Sequence, residues 1–312
     1  MEPATALYDL HLHTAWSYDA TARAEAYFAA ASRCGVRCLA ITDHHLTDGW
    51  SEARAAARAY PGMRLIPAAE LTVTTAFGAI DLLCYGLPET PTAALQAVLD
   101  AYRQWQQETG AAISAGVQAL GLSFSDQQRL ELLATYRPAR VIAAQGATHV
   151  KMAVLRDHFL AQGFIRSVDE YGAFMTRVCE RVSMPRYPAV ERVVDAVKGA
   201  GGLIVIAHPL HYFRQHDVVR MDALRDICRL DGIECAHPNV PPEFGQRYRA
   251  YCERHGLFST GGSDCHVETH IAPMFARHGG PADWLDEFLA RLDPRTPDPS
   301  ATVGAWVSAA RA

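Results

Sequence analysis

Leu7-Tyr8-Asp9-Leu10-His11-Leu12-His13 reads as a short strand, Leu7–Leu12, that delivers two histidines where it ends. His11 and His13 are two residues apart, so on a strand both side chains leave the same face. Outward from it, Thr21–Cys34 carries Ala, Tyr and Phe at helical spacing, with Gly35 where a helix stop is expected. Cys38–Thr42 is a second strand ending in Asp43 and His44. Trp50–Tyr60 is an Ala/Arg-rich helix stopped by Pro61-Gly62, and Arg64–Leu71 and Ala79–Tyr85 are two further strands. Strand and helix alternating in this way predict a mainly parallel sheet with helices outside it.

The rhythm changes between about Pro91 and Pro188. There Thr92–Leu120, Asp126–Tyr136, His149–Gln162 and Val168–Arg177 read as consecutive helices. Residues 1–90 and 189–292 are therefore expected to form one discontinuous α/β domain, with 91–188 a helical insertion over the active site. The alternation resumes with helix Ala189–Ala200, strand Leu203–Ala207, helix Met221–Leu230, strand Gly232–Ala236, helix Glu243–His255, strand Leu257–Thr260 and helix Pro281–Leu292. The tail, 293–312, reads as irregular, with Val303–Ala310 able to dock as a short helix.

The chain has 312 residues, 49% hydrophobic and 20% charged, an ordinary globular composition. A formal net charge of -5 argues against a nucleic-acid partner, which would require a basic patch. No apolar run approaches the ~20 residues that cross a bilayer. The N-terminus lacks the basic start and apolar core of a signal peptide, so the expected location is cytoplasmic. Eight cysteines without a CxxC pair fit reduced, mostly buried thiols. The oligomeric state is not legible.

Three more signatures follow apolar runs: Thr42-Asp43-His44-His45, Ala207-His208-Pro209 and Gly262-Ser263-Asp264-Cys265-His266. Asp264-x-His266 repeats the HxH spacing, read here as lying on the last strand, and the glycines before it allow close packing. Parallel sheets and barrels gather their sites at such strand ends. Imidazoles with carboxylates suit Zn²⁺, Mn²⁺ or Fe²⁺. His44 and His45 cannot both face inward on a continuing strand. His44 is the expected ligand with Asp43 orienting its imidazole, and His45 the solvent-facing or loop residue.

The order HxH, TDH, an isolated Glu, AHP and GSDxH resembles the PHP superfamily, named for polymerase and histidinol phosphatase, and particularly its stand-alone bacterial phosphoesterases. The resemblance extends to Gly201–Pro209 and Gly232-Ile233-Glu234 and covers the chain to about His266. It implies a distorted (β/α)7 barrel holding two or three divalent ions (Mn, Fe or Zn). It further implies that His11, His13, Glu70 and Asp264 hold one ion, and that Glu70 bridges to a second shared with His208. Asp19, His44 and His266 would hold a third. Eleven residues after the Glu, many relatives carry a histidine ligand; here Asp81 stands, either a harder ligand or only a hydrogen-bond acceptor.

The expected catalytic residues are Glu70, His208, Asp264 and His237. His237 ends the strand Gly232–Ala236, and its alternatives are to contact substrate, act as an acid, or pack as a polar residue. His149, Lys151 and Arg186 are the candidates for gripping the substrate. Relatives often read G-R-P-H where this chain has Gly146-Ala147-Thr148-His149, so the arginine is lost. The expected activity is hydrolysis of a small phosphorylated metabolite (nucleotide, nucleoside bisphosphate or sugar phosphate) by a metal-bridging hydroxide, since no Ser or Cys sits in a nucleophile motif. The alternatives are hydrolysis of a C–N or cyclic ester bond on the same site, or a non-catalytic metal- or ligand-binding module.

Overall fold

Seven strands lie side by side in the order in which they occur: β1 (Tyr8–Leu12), β2 (Cys38–Ile41), β3 (Arg64–Thr75), β4 (Gly78–Tyr85), β5 (Leu203–Ile206), β6 (Gly232–Ala236) and β7 (Phe258–Gly261). The structure, a computed structural model, describes residues 6–292. The expected tail, including Val303–Ala310, lies outside them. Past β7 the chain returns to β1: Leu12 bridges Cys265 in parallel, the His13 amide donates to Cys265 O (2.9 Å), and the Asp264 amide donates to His11 O (2.9 Å). The result is a distorted, nearly closed seven-stranded barrel.

One strand is reversed. β4 pairs antiparallel with both β3 and β5, whereas the four other pairings are parallel. β3 also runs on to Thr75, past the expected end at Leu71. The residues Thr72-Val73-Thr74-Thr75 are β-branched and favour extended backbone. They pair with Gly78–Asp81 in a hairpin.

Alternate strand residues fill the barrel interior: Tyr8 and Leu10, Cys38 and Ala40, Ile66 and Ala68, Leu83 and Tyr85, Val205 and Ala207. The buried Tyr85 hydroxyl donates to Leu10 O (2.8 Å), crossing between non-adjacent strands. Outside, α1 (Ala24–Cys34) and α2 (Trp50–Ala57) cover β1 and β2. Gly35 stops α1 with φ 77, as its position predicts.

Five helices follow β4: α3 (Ala93–Ala119), α4 (Asp126–Ala134), α5 (Ala139–Gln145), α6 (Met152–Ala161) and α7 (Tyr171–Cys179), the last entered through a 3-10 turn, Val168–Glu170. Helix α5 was not expected. The chain enters α6 three residues later than expected, leaving His149 and Lys151 on the extended approach to it. Leu95, Val98, Leu99 and Tyr102 at the start of α3 pack with the barrel. Ile113 and Val117 near its end join Phe124, Leu155, Phe159 and Phe174 in a separate core.

The wall is completed by α8 (Val190–Gly199), α9 (Val218–Cys228), α10 (Pro242–His255), α11 (Glu268–Met274) and α12 (Ala282–Arg291). Helix α11, also unexpected, covers the β1–β2 side, and α12 adds Leu285 and Phe288 to the interior set. No helix among the described residues is long and apolar enough to cross a membrane.

Closure depends on Gly262. A Cβ there would lie 2.3 Å from His11 Cβ and 2.6 Å from His11 N. Gly262→Ala must push β1 away from β7, and overpacking of this kind costs about 1–3 kcal/mol. The expected outcome is a lower urea midpoint together with weakened metal uptake; a midpoint equal to wild type would show that the seam is loose.

Candidate metal centre

Glu70 lies at the centre of the site, fully buried on β3. Its Oε2 is 3.2 Å from both His11 Nε2 and His13 Nε2 and 3.4 Å from His44 Nδ1; its Oε1 is 3.1 Å from His208 Nε2. Asp264 Oδ1 stands 3.3 Å from His11 Nε2 and 3.2 Å from His13 Nε2. Asp19 Oδ2 lies 3.3 Å from His266 Nε2 and 3.6 Å from His44 Nε2. The nine residues read from the sequence as ligands are thus brought to one locus, with Asp81 at its margin, 3.8 Å from His208 Nε2.

Strand reversal explains Asp81. Because β4 runs antiparallel, its Asp81 pairs with Thr72, two residues beyond Glu70. Its carboxylate accepts from the Thr72 hydroxyl (2.6 Å) and the Tyr212 hydroxyl (2.5 Å). Asp264 and His266 are not on a strand as expected. β7 stops at Gly261, and Asp264 adopts φ 54 in the loop that follows. His208 (φ 27) and His45 (φ 66) are likewise in the left-handed region. Such backbone strain in non-glycine residues clusters at functional sites.

Four sets of donor atoms lie within 4.8 Å of one another: His13 with His44 and His266; His11 with His13 and Glu70; Glu70 with Asp81 and His208; His11 with Glu234 and His237. His13 Nε2, His44 Nδ1 and Asp19 Oδ1 are buried without a hydrogen-bond partner. Buried donors left open cost free energy unless something fills the gap between them. The donor set fits divalent cations.

The electrostatics agree. Burial alone would raise the Glu70 pKa, but the neighbouring His44 and His11 hold it well below its usual value. Burial opposes charge on His13 and His208, yet hydrogen bonds to Asp264 and Glu70 raise His13 to about 10, and the bond to Glu70 raises His208 to about 9. Without metal, His13 and His208 hold protons where cations belong.

Two expectations need correction. Asp43 does not touch the His44 imidazole. It accepts from Thr14 N–H (2.6 Å), Thr14 Oγ1 (2.7 Å) and Ser17 Oγ (3.1 Å). Ser17 Oγ in turn meets His13 Nδ1 (3.1 Å) and accepts from the His44 amide (2.8 Å), so Asp43 orients His13 through a hydroxyl. His45 lies in a turn but is buried rather than solvent-facing. It stacks on Tyr102 (4.7 Å) and bonds Thr72 Oγ1 (2.8 Å), because the backbone, still bridged to Glu70 at His44, turns left-handed at His45 (φ 66).

The Gly232-Ile233-Glu234 motif gives Glu234 no role on sequence grounds, and the structure supplies one. Glu234 is fully buried, meets His11 Nδ1 at 2.9 Å and accepts from the His208 amide at 2.6 Å, fixing two candidate ligands at once. Asp9 was missed as well; it accepts from the Ser263 (2.9 Å) and Ala276 (2.8 Å) amides and holds the loop after β7. A carboxylate inside an apolar strand was the available signal for both.

His149 is buried beside the centre, 4.2 Å from the Tyr18 ring, and burial lowers its pKa to about 4. Its Nδ1 has no partner. Lys151 is half-buried and Arg186 exposed. Neither side chain is committed to an ion pair among the described residues, and no contact joins them to the ligands. His237 is buried, its Nε2 3.4 Å from Asp264 Oδ2.

A nearly closed barrel whose strand ends converge histidines and carboxylates on one cation-binding locus defines a metal-dependent hydrolase. The chain belongs to the PHP family: the PHP domain matches residues 9–179, more than half of it. It is 28% identical to the 3',5'-nucleoside bisphosphate phosphatase of Chromobacterium violaceum over 83% of this chain and 87% of that protein. It is 26% identical to the 5'-3' exoribonuclease Rnm of Escherichia coli over 83% of this chain and 85% of that protein.

Among solved structures, a protein from Bifidobacterium adolescentis proposed to be a metal-dependent phosphoesterase matches with TM-score 0.69 and 26% identity, covering 93% of this chain and 98% of that one. An amidohydrolase from Chromobacterium violaceum, with sulfate bound and no metal, shares the fold at TM-score 0.68 and 22% identity, covering 95% of this chain and 100% of that one.

The raised histidine values have a consequence. A folded-state pKa above the ordinary 6.5 adds stability that is full below pH 6.5 and is lost as pH rises through about 9 and 10. The metal-free protein is therefore expected to lose thermal stability over that window. Uptake of divalent ions at pH 7 should release protons, read by calorimetry in buffers of different ionisation enthalpy. Uptake without proton release would contradict the charge assignment.

Proposed function

We propose that this protein, a metal-dependent phosphoesterase of the PHP family, hydrolyses a small phosphorylated metabolite: a nucleotide, a nucleoside bisphosphate or a sugar phosphate. The observation that carries the reading is Glu70, with four imidazoles within 3.4 Å of one buried carboxylate. The nucleoside bisphosphate phosphatase among its relatives supports the nucleotide class.

In this reading three ions are held: one by His11, His13, Glu70 and Asp264, one by Glu70, His208 and Asp81, and one by Asp19, His44 and His266. Manganese or iron suits the added carboxylate of Asp81 better than zinc does. When bound, such ions supply Lewis-acid polarisation of the phosphoryl oxygens and acidify the attacking water.

The chain's own groups do the rest. Glu70 fixes the spacing between two sites, and Glu234 and Ser17 hold the imidazoles of His11 and His13 in orientation. His149, kept neutral by burial, offers a ring nitrogen, and Lys151 and Arg186 supply positive charge for the remote part of the substrate. Residues 91–188 serve as the insertion that covers the pocket. The eight cysteines, none of them in a disulfide, fit a cytoplasmic location. The exoribonuclease among the relatives keeps an oligoribonucleotide end in view as a second substrate, but a net charge of -5 favours the small metabolite.

Protein loaded with Mn²⁺ is expected to release phosphate from part of a panel of nucleotides, nucleoside bisphosphates, sugar phosphates and short oligoribonucleotides. Retained metal with no phosphate release from any ester would sink the proposal. Glu70→Gln should cut turnover by roughly 10³-fold or more, the loss of several kcal/mol of charge stabilisation. Unchanged turnover would show that no ions share this residue.

A further inference from the structure

We infer that His237 is not a metal ligand: it is a fixed N–H donor that binds an oxygen of the substrate's phosphoryl group. The inference deepens the phosphoesterase reading and rests on it. Its basis is the tautomer that each histidine's surroundings impose, since a neutral imidazole has one bare nitrogen and one N–H, and the partner of one decides the other.

Three histidines of the centre have their Nδ1 facing an acceptor. His11 Nδ1 meets the Glu234 carboxylate at 2.9 Å. His266 Nδ1 meets the carbonyl oxygen of Asp264 at 2.8 Å. His13 Nδ1 meets Ser17 Oγ at 3.1 Å, and that hydroxyl gives its own proton to Asp43, so it accepts from His13. Once each ring is neutral, as binding a cation requires, the proton is on Nδ1 and Nε2 presents a lone pair to the centre.

His237 is the reverse. Its Nδ1 is 3.0 Å from the backbone N–H of Asn239, a group that can only donate. Nδ1 therefore accepts, and the proton is on Nε2. Nε2 is buried and has no hydrogen-bond partner. The His237 ring lies 5.8 Å from that of His11 and 5.4 Å from that of His208, so this N–H sits among the metal ligands. The proximity of His237 to His11 and Glu234 suggests a metal set by distance alone, but an N–H presents positive charge, which repels a cation. The complementary partner is an anionic oxygen, and a phosphoryl group held at Glu70 brings one.

The competing role is structural: Nε2–H would steady Asp264, whose Oδ2 is 3.4 Å away. Removing it would then loosen a ligand and cost metal. The test uses metal-loaded protein and inorganic phosphate as the probe, so it stands apart from whether any ester is turned over. His237→Leu is expected to keep the wild-type number of divalent ions per chain and to bind phosphate roughly tenfold more weakly, the loss of one charge-assisted hydrogen bond. His237→Gln, whose amide N–H reaches a similar place, should retain most of the affinity.

Loss of an ion in either variant, unchanged phosphate affinity in His237→Leu, or no phosphate binding by metal-loaded wild type would each overturn the inference. A further measurement needs no folded variant. On Zn²⁺-loaded wild type, long-range ¹H–¹⁵N correlation should show a protonated Nε2 and a bare Nδ1 at His237, and the opposite pattern would overturn the assignment.

Discussion

A carboxylate with no exposure to water holds this structure in its observed shape. Ionised Glu70 cannot remain buried without compensation, since an unpaired charge in a low-dielectric interior costs several kcal/mol. Compensation comes from β1, from the loop after β2 and from the loop after β5, each contributing an imidazole within 3.4 Å. Those segments come together only if the barrel closes, and the barrel closes only where Gly262 lets β1 approach the loop after β7. The left-handed backbone of His208 and Asp264 is strained in isolation, and the charge cluster stabilises it.

Much of this was legible in the chain, for a physical reason. Strand-end histidines announce themselves because an apolar run followed by His is rare, and several at parallel strand ends must converge. Strand direction was less accessible: Ala79–Tyr85 has the same side-chain period in either sense, so nothing in it marked β4 as reversed. Helices α5 and α11 have seven residues each, too few for a helical period to stand out, and α11 contains Pro273. Strand alternation past Thr42 predicts an outward His45, whereas the backbone turns at His45 and sends it under α3 instead of to solvent. Glu234 and Asp9 were visible as charges inside apolar strands, but their roles depend on partners far away in sequence.

The helices after β4 are coupled to the centre through Arg137 and Tyr136 among other polar links. Arg137, buried, donates to Trp16 O (2.9 Å), Gln145 Oε1 (2.6 Å) and Thr148 Oγ1 (2.8 Å). The Tyr136 hydroxyl donates to Tyr18 O (3.0 Å) and accepts from the Lys151 amide (2.9 Å). One pair of adjacent residues thus ties the His13–Asp19 loop to the segment carrying His149 and Lys151. A guanidinium with three acceptors in fixed directions is a rigid strut, unlike an exposed ion pair. Movement of these helices must therefore be felt at Asp19.

Asp81 gives the site its individual character. An imidazole at that position would add a neutral donor; a carboxylate adds a full negative charge to a centre already holding Glu70, Asp264 and Asp19. Its two oxygens are engaged by Thr72 and Tyr212, which disperse part of that charge. Cations are held more strongly by such a centre, yet they present less net positive charge to a phosphoryl group. The task of neutralising the phosphoryl oxygens then shifts toward donors of the chain itself. This chain lacks the arginine of the G-R-P-H pattern, so in the proposed reading the shift falls on His149, Lys151, Arg186 and the N–H inferred at His237. An unpartnered donor buried among metal ligands is costly in the empty site and favourable once an anion arrives, so the proposed His237 contact strengthens binding where the metals alone bind less.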